Sequence, residues 1–450
     1  MERITVVGAG LAGALVSLYL VKRGFGIDIF ESREDPRLCP ADPGLSINLA
    51  LSCRGITGLE GVGLMEKVRS MMVPMVARAI HELDGTVHFQ PFGRHPGEHI
   101  NAIVRQDLNV VLLEALEACP NVRLHFKTRL KSIDFERKTA TFADSGGQLM
   151  HHAYTRLIGA DGAASRLRDV LAEAGIVDAV REFFPHSYKE LTIGEAHGNQ
   201  MARHHLHLWP RHTSLLLGNP NRDDSITGTL FLPDSGAHSF ETLTTPEALL
   251  AFFRRAFPDA LAVMPNLVEE FFAHPTGRMS TIRCTPWYYR DDILLIGDAA
   301  HGIIPFFGQG MNCAFEDCRI LNQLLEHHHN DWSSVMPAFY QTRKPDTEAV
   351  ARMSLDNFNE IHRDISDKGF GLKKRIELEL MHRYPDIYVS KHIQVMFTNT
   401  PYAKALACGE VQKSFLETLC HDIEDLDEIK WQHVEQKLPE YVNKLTEKGL

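Results

Sequence analysis

No two of the eight cysteines make a C-x-x-C pair; they are scattered at positions 39, 53, 119, 284, 313, 318, 408 and 420. That scatter excludes the usual zinc spacings and offers no disulfide framework, so the thiols read as reduced and structural. No stretch reaches the ~18 apolar residues that span a bilayer. Met1 leads into a strand-like run without the basic region or cleavage site of a secretory leader. A cytoplasmic chain without a membrane anchor is therefore expected. Basic charge is also short, with 47 Lys and Arg against 58 Asp and Glu and a net charge of -11. Nucleic acid is not an expected partner, because phosphate binding requires clustered cations. Internal repeats and low-complexity segments are absent. The acidic stretch at residues 422–428 reads as a solvated helix face. The histidines at 327–329 read as a polar loop, since three adjacent side chains rarely converge on one ion; no metal is expected.

What is present begins with length: 450 residues exceed one typical core and imply two or three units. A short β-branched apolar run at residues 4–7 stops at Gly8. Residues 11–23 read as an apolar helix ended by Gly24, and residues 27–30 as a second strand closing at Glu31. This is a βαβ unit of about 30 residues. Its turn is Gly8-Ala9-Gly10-Leu11-Ala12-Gly13, a GxGxxG. Gly8 permits the tight turn, Gly10 lets amides approach a pyrophosphate, and Gly13 lets helix and sheet pack closely. The helix start at Leu11 and Ala12 then faces the phosphates. Glu31 falls where an acceptor for a ribose hydroxyl belongs. The motif alone does not separate NAD from FAD.

Further along, residues 104–118 read as an amphipathic helix, and residues 122–126 and 157–159 as strands of the same sheet. From 188 to 232 short β-like pieces dominate (206–209, 214–217, 227–232), which predicts an antiparallel sheet in a separate subdomain. Residues 293–296 return to a buried-strand pattern and 311–325 to a helix; from 347 onward helix formers prevail. The partition expected is 1–70 with 101–180 and 285–346, then 71–100 with 181–284, then 347–450.

Two later motifs narrow the nucleotide. Ile158-Gly159-Ala160-Asp161-Gly162, continued by Ser165 and Arg166, follows a strand. Leu295-Ile296-Gly297-Asp298-Ala299-Ala300-His301 runs on to Pro305-Phe306-Phe307-Gly308-Gln309-Gly310-Met311-Asn312. Here a buried strand ends in Gly-Asp, where a carboxylate can take a hydrogen bond from the ribityl chain of FAD. A helix opening near Gly310 can turn its amides toward the flavin edge that becomes negative on reduction. Gly308 and Gly310 keep side chains out of the flavin's way. His301 reads as a packing residue rather than a base.

Taken in order, these motifs resemble the single-component, NAD(P)H-dependent FAD aromatic hydroxylases, with para-hydroxybenzoate hydroxylase as the general model. The resemblance runs from Ile4 to about Gly409. Its more particular stretches are similar to the kynurenine-hydroxylating branch: Ser46-Ile47-Asn48-Leu49-Ala50-Leu51, Tyr188-Lys189-Glu190-Leu191, Leu206-His207-Leu208-Trp209-Pro210, Phe315-Glu316-Asp317, and Asn357 with Glu360. The resemblance implies an α/β fold, with a Rossmann-like FAD domain, an inserted antiparallel-sheet substrate domain and a helical C-terminal region. It implies FAD, a reductant that is NADPH with NADH left open, and O2 as co-substrate. The reaction implied is hydroxylation of an aminoaryl amino acid, L-kynurenine to 3-hydroxykynurenine, by way of a flavin C4a-hydroperoxide. The open alternatives are another aromatic acid or phenol, or a flavin dehydrogenase that inserts no oxygen.

The resemblance also distributes roles. Arg33, Arg54, Arg105 and Asp161 join the motif residues Leu11, Ala12, Glu31, Asp298, Met311 and Asn312 in holding the cofactor. Pro305, Gly308, Gly310 and Asn312 form the flavin-facing wall. Arg78 grips the substrate carboxylate, a contact suited to a bidentate guanidinium; as an isolated residue it would read as a surface charge. Phe231, Asn357 and Glu360 complete the substrate pocket. Phe92 stands where the family has a tyrosine, and His392 stands where it has a second. Ile361 replaces a usual methionine. Losing a hydrogen bond to a charged group costs roughly 1.5–3 kcal/mol, so these departures bear on the substrate, with His392 as a candidate replacement donor. The chain ends in polar residues rather than the hydrophobic anchor of membrane-bound relatives. The sequence sets no oligomeric state beyond monomer or homodimer.

Overall fold

The structure is a computed structural model that describes residues 1–39, 48–95, 97–361, 368–420 and 423–450, the side chains of 368–370 excepted. Ser46, Ile47, Asp422 and the proline-rich loop beyond residue 39 lie outside the described residues.

Four parallel neighbours form the heart of the first sheet: Ile293–Leu295, Arg156–Gly159, Arg3–Val7 and Gly26–Phe30, followed by Val122–His125. Tyr288–Tyr289 adds an antiparallel edge. The inner strands are buried on both faces, which is why their sequences read as continuous apolar runs rather than alternations. The helix Leu11–Lys22 packs on this sheet in the largest apolar cluster, with Ile4, Val6, Ile27, Ile29 and Leu295. The turn before it demands glycine twice. Gly8 has φ +102°, and a Cβ there would lie 2.5 Å from the Ala160 carbonyl oxygen; a Cβ on Gly13 would lie 2.0 Å from the Gly8 oxygen.

The second sheet has seven strands in the order Gly277–Thr285, Asp178–Ile193, Ile226–Pro233, Ser214–Pro220, His205–Arg211, Ala77–His81, Val87–Pro91. Every pairing is antiparallel except one. Ala77–His81 runs parallel to His205–Arg211, because its strand arrives from a distant part of the chain rather than through a hairpin. Period-two alternation divides the side chains between two faces. Leu191, Trp209, Leu216 and Leu230 meet a helical layer, Pro246–Ala256, Pro258–Ala262 and Leu267–Ala273, which the sequence reading did not place. Leu208, Leu215 and Phe231 point the other way, toward Ile304 and Phe306. That second face becomes one wall of the site.

The helices Trp332–Asn359, Lys368–Arg383, Lys391–Phe397, Tyr402–Leu419 and Trp431–Glu447 make up the C-terminal region. They have a core of their own around Ile376, Leu380, Tyr388, Phe415 and Tyr441. A second cluster joins them to the rest through Phe92, Ile100, Phe307, Val350, Met396 and Tyr402. The acidic stretch lies in a turn, not on the helix face expected from the sequence: its described part ends in the short 3-10 turn Leu426–Glu428. No helix among the described residues is long and apolar enough to cross a membrane.

Candidate active site

One cavity of about 700 Å³ runs between the two sheets and under the C-terminal helices, within the size range of small-molecule clefts. Its first end is made mostly of backbone. Gly8, Gly10, Leu11 and Ala12 line it, with Glu31, Arg33, Arg105 and Asp161. The helix Leu11–Lys22 carries no side-chain cap and no acidic residue in its first turn. Its free N–H groups therefore present an uncompensated positive end to the cavity. Glu31 is fixed from behind: Oε2 accepts the Ala9 N–H at 2.9 Å, and Oε1 accepts the Arg33 N–H at 2.9 Å and Arg33 Nε at 3.1 Å. Burial works to raise its carboxyl, but the Arg33 side chain and these amides hold it below the ordinary value, so it stays an anionic acceptor. Asp161 Oδ2 accepts the Leu167 N–H at 3.1 Å, while Oδ1 has no partner among the described residues. Burial pushes this carboxyl upward, against the Ser165 side chain and the Leu167 amide. An orphaned, desolvated carboxyl oxygen at a cavity wall is what a ligand hydroxyl would satisfy.

The middle of the cavity is the loop named from sequence. Asp298, Pro305, Gly308, Gly310 and Met311 line it. Gly308 sits at φ +63°, and the helix Gly310–His327 again begins without a side-chain cap or an acidic residue. Asn312 does not face the cavity. It is fully buried, donates to the carbonyls of Ala50 (2.8 Å) and Gly308 (3.0 Å), and accepts the Ser52 N–H at 2.9 Å. It braces the loop. Asn357 reaches the same loop from the C-terminal side, lining the cavity while its amide donates to the Phe306 carbonyl.

Beneath the loop lies a buried ionic group. Asp317 accepts from Arg343 Nε at 2.8 Å and from the Gly297 N–H at 3.0 Å, and pairs with His301 Nε2 at 2.5 Å. Arg343 also donates to Glu316 at 2.7 Å. The donor atoms of His301, Cys313 and Asp317 lie within 4.8 Å of one another. Arg343 already supplies the cation here, with Nη2 3.3 Å from Cys313 Sγ, so the group reads as an ion-pair brace rather than a metal site. Burial alone would lower the His301 imidazole, but the Asp317 carboxylate raises it to about 10.

The far end is made of side chains from separate segments. Arg78, Phe92, Phe231 and Ile361 line it, together with Met75, Leu206, Leu208, Leu215, Leu217 and Phe306. Phe231 packs on Phe306 with ring centroids 5.0 Å apart. Arg78 donates to Gln90 Oε1 at 3.0 Å and lies over the Phe92 ring at 4.9 Å. Burial lowers its guanidinium to about 10 against the opposing charge of Glu360, so it remains a cation at neutral pH. Glu360 and His392 are not on the wall. Glu360 acts on Arg78 and Lys374 through its charge. The His392 ring stacks on Phe92 at 6.1 Å, and its Nε2 has no hydrogen-bond partner among the described residues. Burial, then the charges of Arg78, Lys374 and Lys391, push its pKa well down and keep it neutral.

Arg54 departs furthest from its expected place. It is fully buried and turned away from the cavity, donating to the carbonyls of Val395 and Thr400, pairing with Glu316 at 3.3 Å and stacking on Tyr402 at 3.8 Å. Gly13, as its packing role requires, also lies behind the wall. The leucines of the far end were missed. Leu206 with Leu208 and Leu215 with Leu217 alternate clearly in the sequence, but alternation marks two faces without saying which one meets a cavity.

Residues 2–215 and 253–354 match the family described as FAD binding domain. A kynurenine 3-monooxygenase of Legionella pneumophila (strain Corby) is 58% identical over 445 residues, 99% of each chain. The chain belongs to the kynurenine 3-monooxygenase family. A second relative of that name, from Myxococcus xanthus (strain DK1622), is 41% identical over 95% of this chain and 93% of its own. Among solved structures, p-nitrophenol 4-monooxygenase from Pseudomonas putida DLL-E4 superposes with TM-score 0.68 at 16% identity, covering 85% of this chain and 97% of that one. A 2-methyl-3-hydroxypyridine-5-carboxylic acid oxygenase gives 0.66 at 18%, covering 83% and 96%. At such identities these two establish the fold alone, an α/β domain combined with a second sheet and C-terminal helices.

Proposed function

We propose that the chain is an FAD-dependent monooxygenase that uses NADPH and O2 to convert L-kynurenine to 3-hydroxykynurenine. The observation that carries this reading is the continuity of one cavity, from the free helix start at Leu11 and the Glu31 carboxylate, past residues 305–311, to the Arg78 guanidinium. The first end fits FAD. The amides of Leu11 and Ala12 would receive its pyrophosphate, Glu31 a ribose hydroxyl, and Asp298 the ribityl chain, and the orphaned Asp161 Oδ1 leaves room for one further donor. The start of Gly310–His327 would face the isoalloxazine edge that becomes negative on reduction. FAD, when bound, supplies electron transfer and the activation of O2.

The chain's own residues do the rest. Arg78 holds the substrate carboxylate, and the nearby negative charge of Glu360 suits the ammonium of an amino acid. Phe231 and Phe306, with Leu208, Leu215 and Leu217, give the aromatic ring an apolar wall that excludes water. No acid–base dyad lines the cavity among the described residues, and none is required, because the amino group on the ring directs attack to its ortho carbon. Phe92 and His392 shape the substrate end.

The test is NADPH consumption by the yellow protein across a panel of L-kynurenine, anthranilate and para-hydroxybenzoate, with product masses. L-Kynurenine should stimulate oxidation most and gain one oxygen. Stimulation by another member of the panel, with none by L-kynurenine, would reject the substrate assignment.

A further inference from the structure

In the loop at the middle of the cavity, the side chain of Gln309 does not enter the cavity. Gln309 lies between Gly308 and Gly310, both on the wall, yet it is 1% exposed and points into the protein. A buried primary amide needs partners for its oxygen and its two hydrogens. Its Oε1 accepts the Tyr402 hydroxyl at 2.8 Å. Among the described residues its Nε2 meets Met396 Sδ, a weak thioether acceptor, at 3.2 Å and Ser52 Oγ at 3.4 Å. Tyr402 therefore supplies the shortest hydrogen bond to this side chain among the described residues.

Tyr402 is itself fixed. It is fully buried at the start of the helix Tyr402–Leu419, and the Arg54 guanidinium lies 3.8 Å over its ring. Arg54 in turn holds the carbonyls of Val395 and Thr400 on one side and Glu316, from the flavin-loop helix, on the other. Burial pushes the Tyr402 hydroxyl well up, so it remains a donor. Gln309, Tyr402 and Arg54 thus make a continuous link between the loop and the C-terminal helices, beside Asn357 at the Phe306 carbonyl, while the partners of Asn312 all lie within the FAD half.

We propose that Tyr402 is a positioning residue for the flavin-facing loop, setting the shape of residues 308–310 through Gln309 and tying cofactor geometry to docking of the C-terminal helices. This rests on the FAD reading above, and its test does not depend on which aromatic acid is hydroxylated. Tyr402→Phe keeps the ring under Arg54 and takes the hydroxyl donor away from the buried Gln309 Oε1.

The experiment compares full-length Tyr402→Phe, Gln309→Leu and the double variant with the parent holoprotein. The readouts are FAD release on dilution, followed by flavin fluorescence, and the shape of the visible flavin absorption band. Tyr441→Phe is the control: it removes a buried hydroxyl from the same helical layer, far from the loop and bonded to Gln412. Tyr402→Phe should weaken FAD retention roughly tenfold and shift the absorption band, and Tyr441→Phe should do neither. The double variant should be no worse than the more severe single, because both remove one link. A merely structural tyrosine would lower the melting temperature and leave the absorption band unchanged, and that result would overturn the proposal. So would independent, additive effects in the double variant. Should Tyr402→Phe not fold, Gln309→Leu alone carries the same expectation and the same refutation. A parent protein that never binds FAD would instead overturn the functional reading.

Discussion

The two ends of the cavity are built by different means. At the nucleotide end the ligand-facing groups are backbone amides at two helix starts, and side chains are mostly kept away by glycine. At the substrate end the groups are side chains on strands and helices that lie more than 270 residues apart, from Arg78 to Asn357. A backbone site depends on chain geometry, so it tolerates little change at a few fixed positions. A side-chain site can be altered one residue at a time without disturbing the other end. By the same division, Phe92 and Ile361 at the substrate end can change without moving the backbone of residues 305–311.

The sharpest way to break the comparison is at Gly8. Gly8→Val places a branched side chain at φ +102° against the Ala160 carbonyl. The purified variant should be colourless or poorly folded, and a yellow, stable Gly8→Val protein would sink the backbone account. The next largest effect is expected at the other end. Arg78→Ala should retain FAD, as judged by its absorbance, while kcat/KM for L-kynurenine falls by about 2–5 kcal/mol in transition-state terms, the usual cost of removing one partner from a buried charge pair. Loss of FAD together with activity would show that the ends are not separable.

A third prediction concerns the brace beneath the loop. The His301 imidazole is raised from 6.5 to about 10. A group raised on folding contributes stability that is fully present below its unfolded pKa and is lost as pH rises through the folded value. Denaturant stability should therefore fall between about pH 6.5 and pH 10, and His301→Asn should flatten that slope. An unchanged slope would show that His301 is not the proton held by Asp317. The smallest expected effect is Phe92→Tyr, which adds a hydroxyl to the ring beside Arg78. It should change KM for L-kynurenine by about tenfold or less and leave FAD retention untouched; a change in flavin absorption would contradict the separation of the ends.

The same division governs what could be read from the sequence. Gly8 to Gly13 and residues 295–311 were legible because a backbone site writes itself into consecutive positions with fixed turn and helix requirements. Glu31 was legible by its distance from the glycines. The substrate end was not, because nothing local distinguishes Arg78 from a surface arginine; only resemblance singled it out. Arg54 shows the converse hazard. It was assigned to the cofactor by resemblance, and its guanidinium instead supports Tyr402 and two carbonyls of the C-terminal region. Gln309 stands inside a motif dominated by glycines, and only the fold brings its inward side chain to Tyr402.

The most direct test of the account uses isotopically labelled O2. Holoprotein, NADPH and L-kynurenine under labelled dioxygen should give 3-hydroxykynurenine carrying one labelled oxygen, with NADPH consumed in step. NADPH oxidation with an unlabelled product, or with no hydroxylated product at all, would contradict the claim that one cavity joins oxygen activation to the substrate whose carboxylate Arg78 holds.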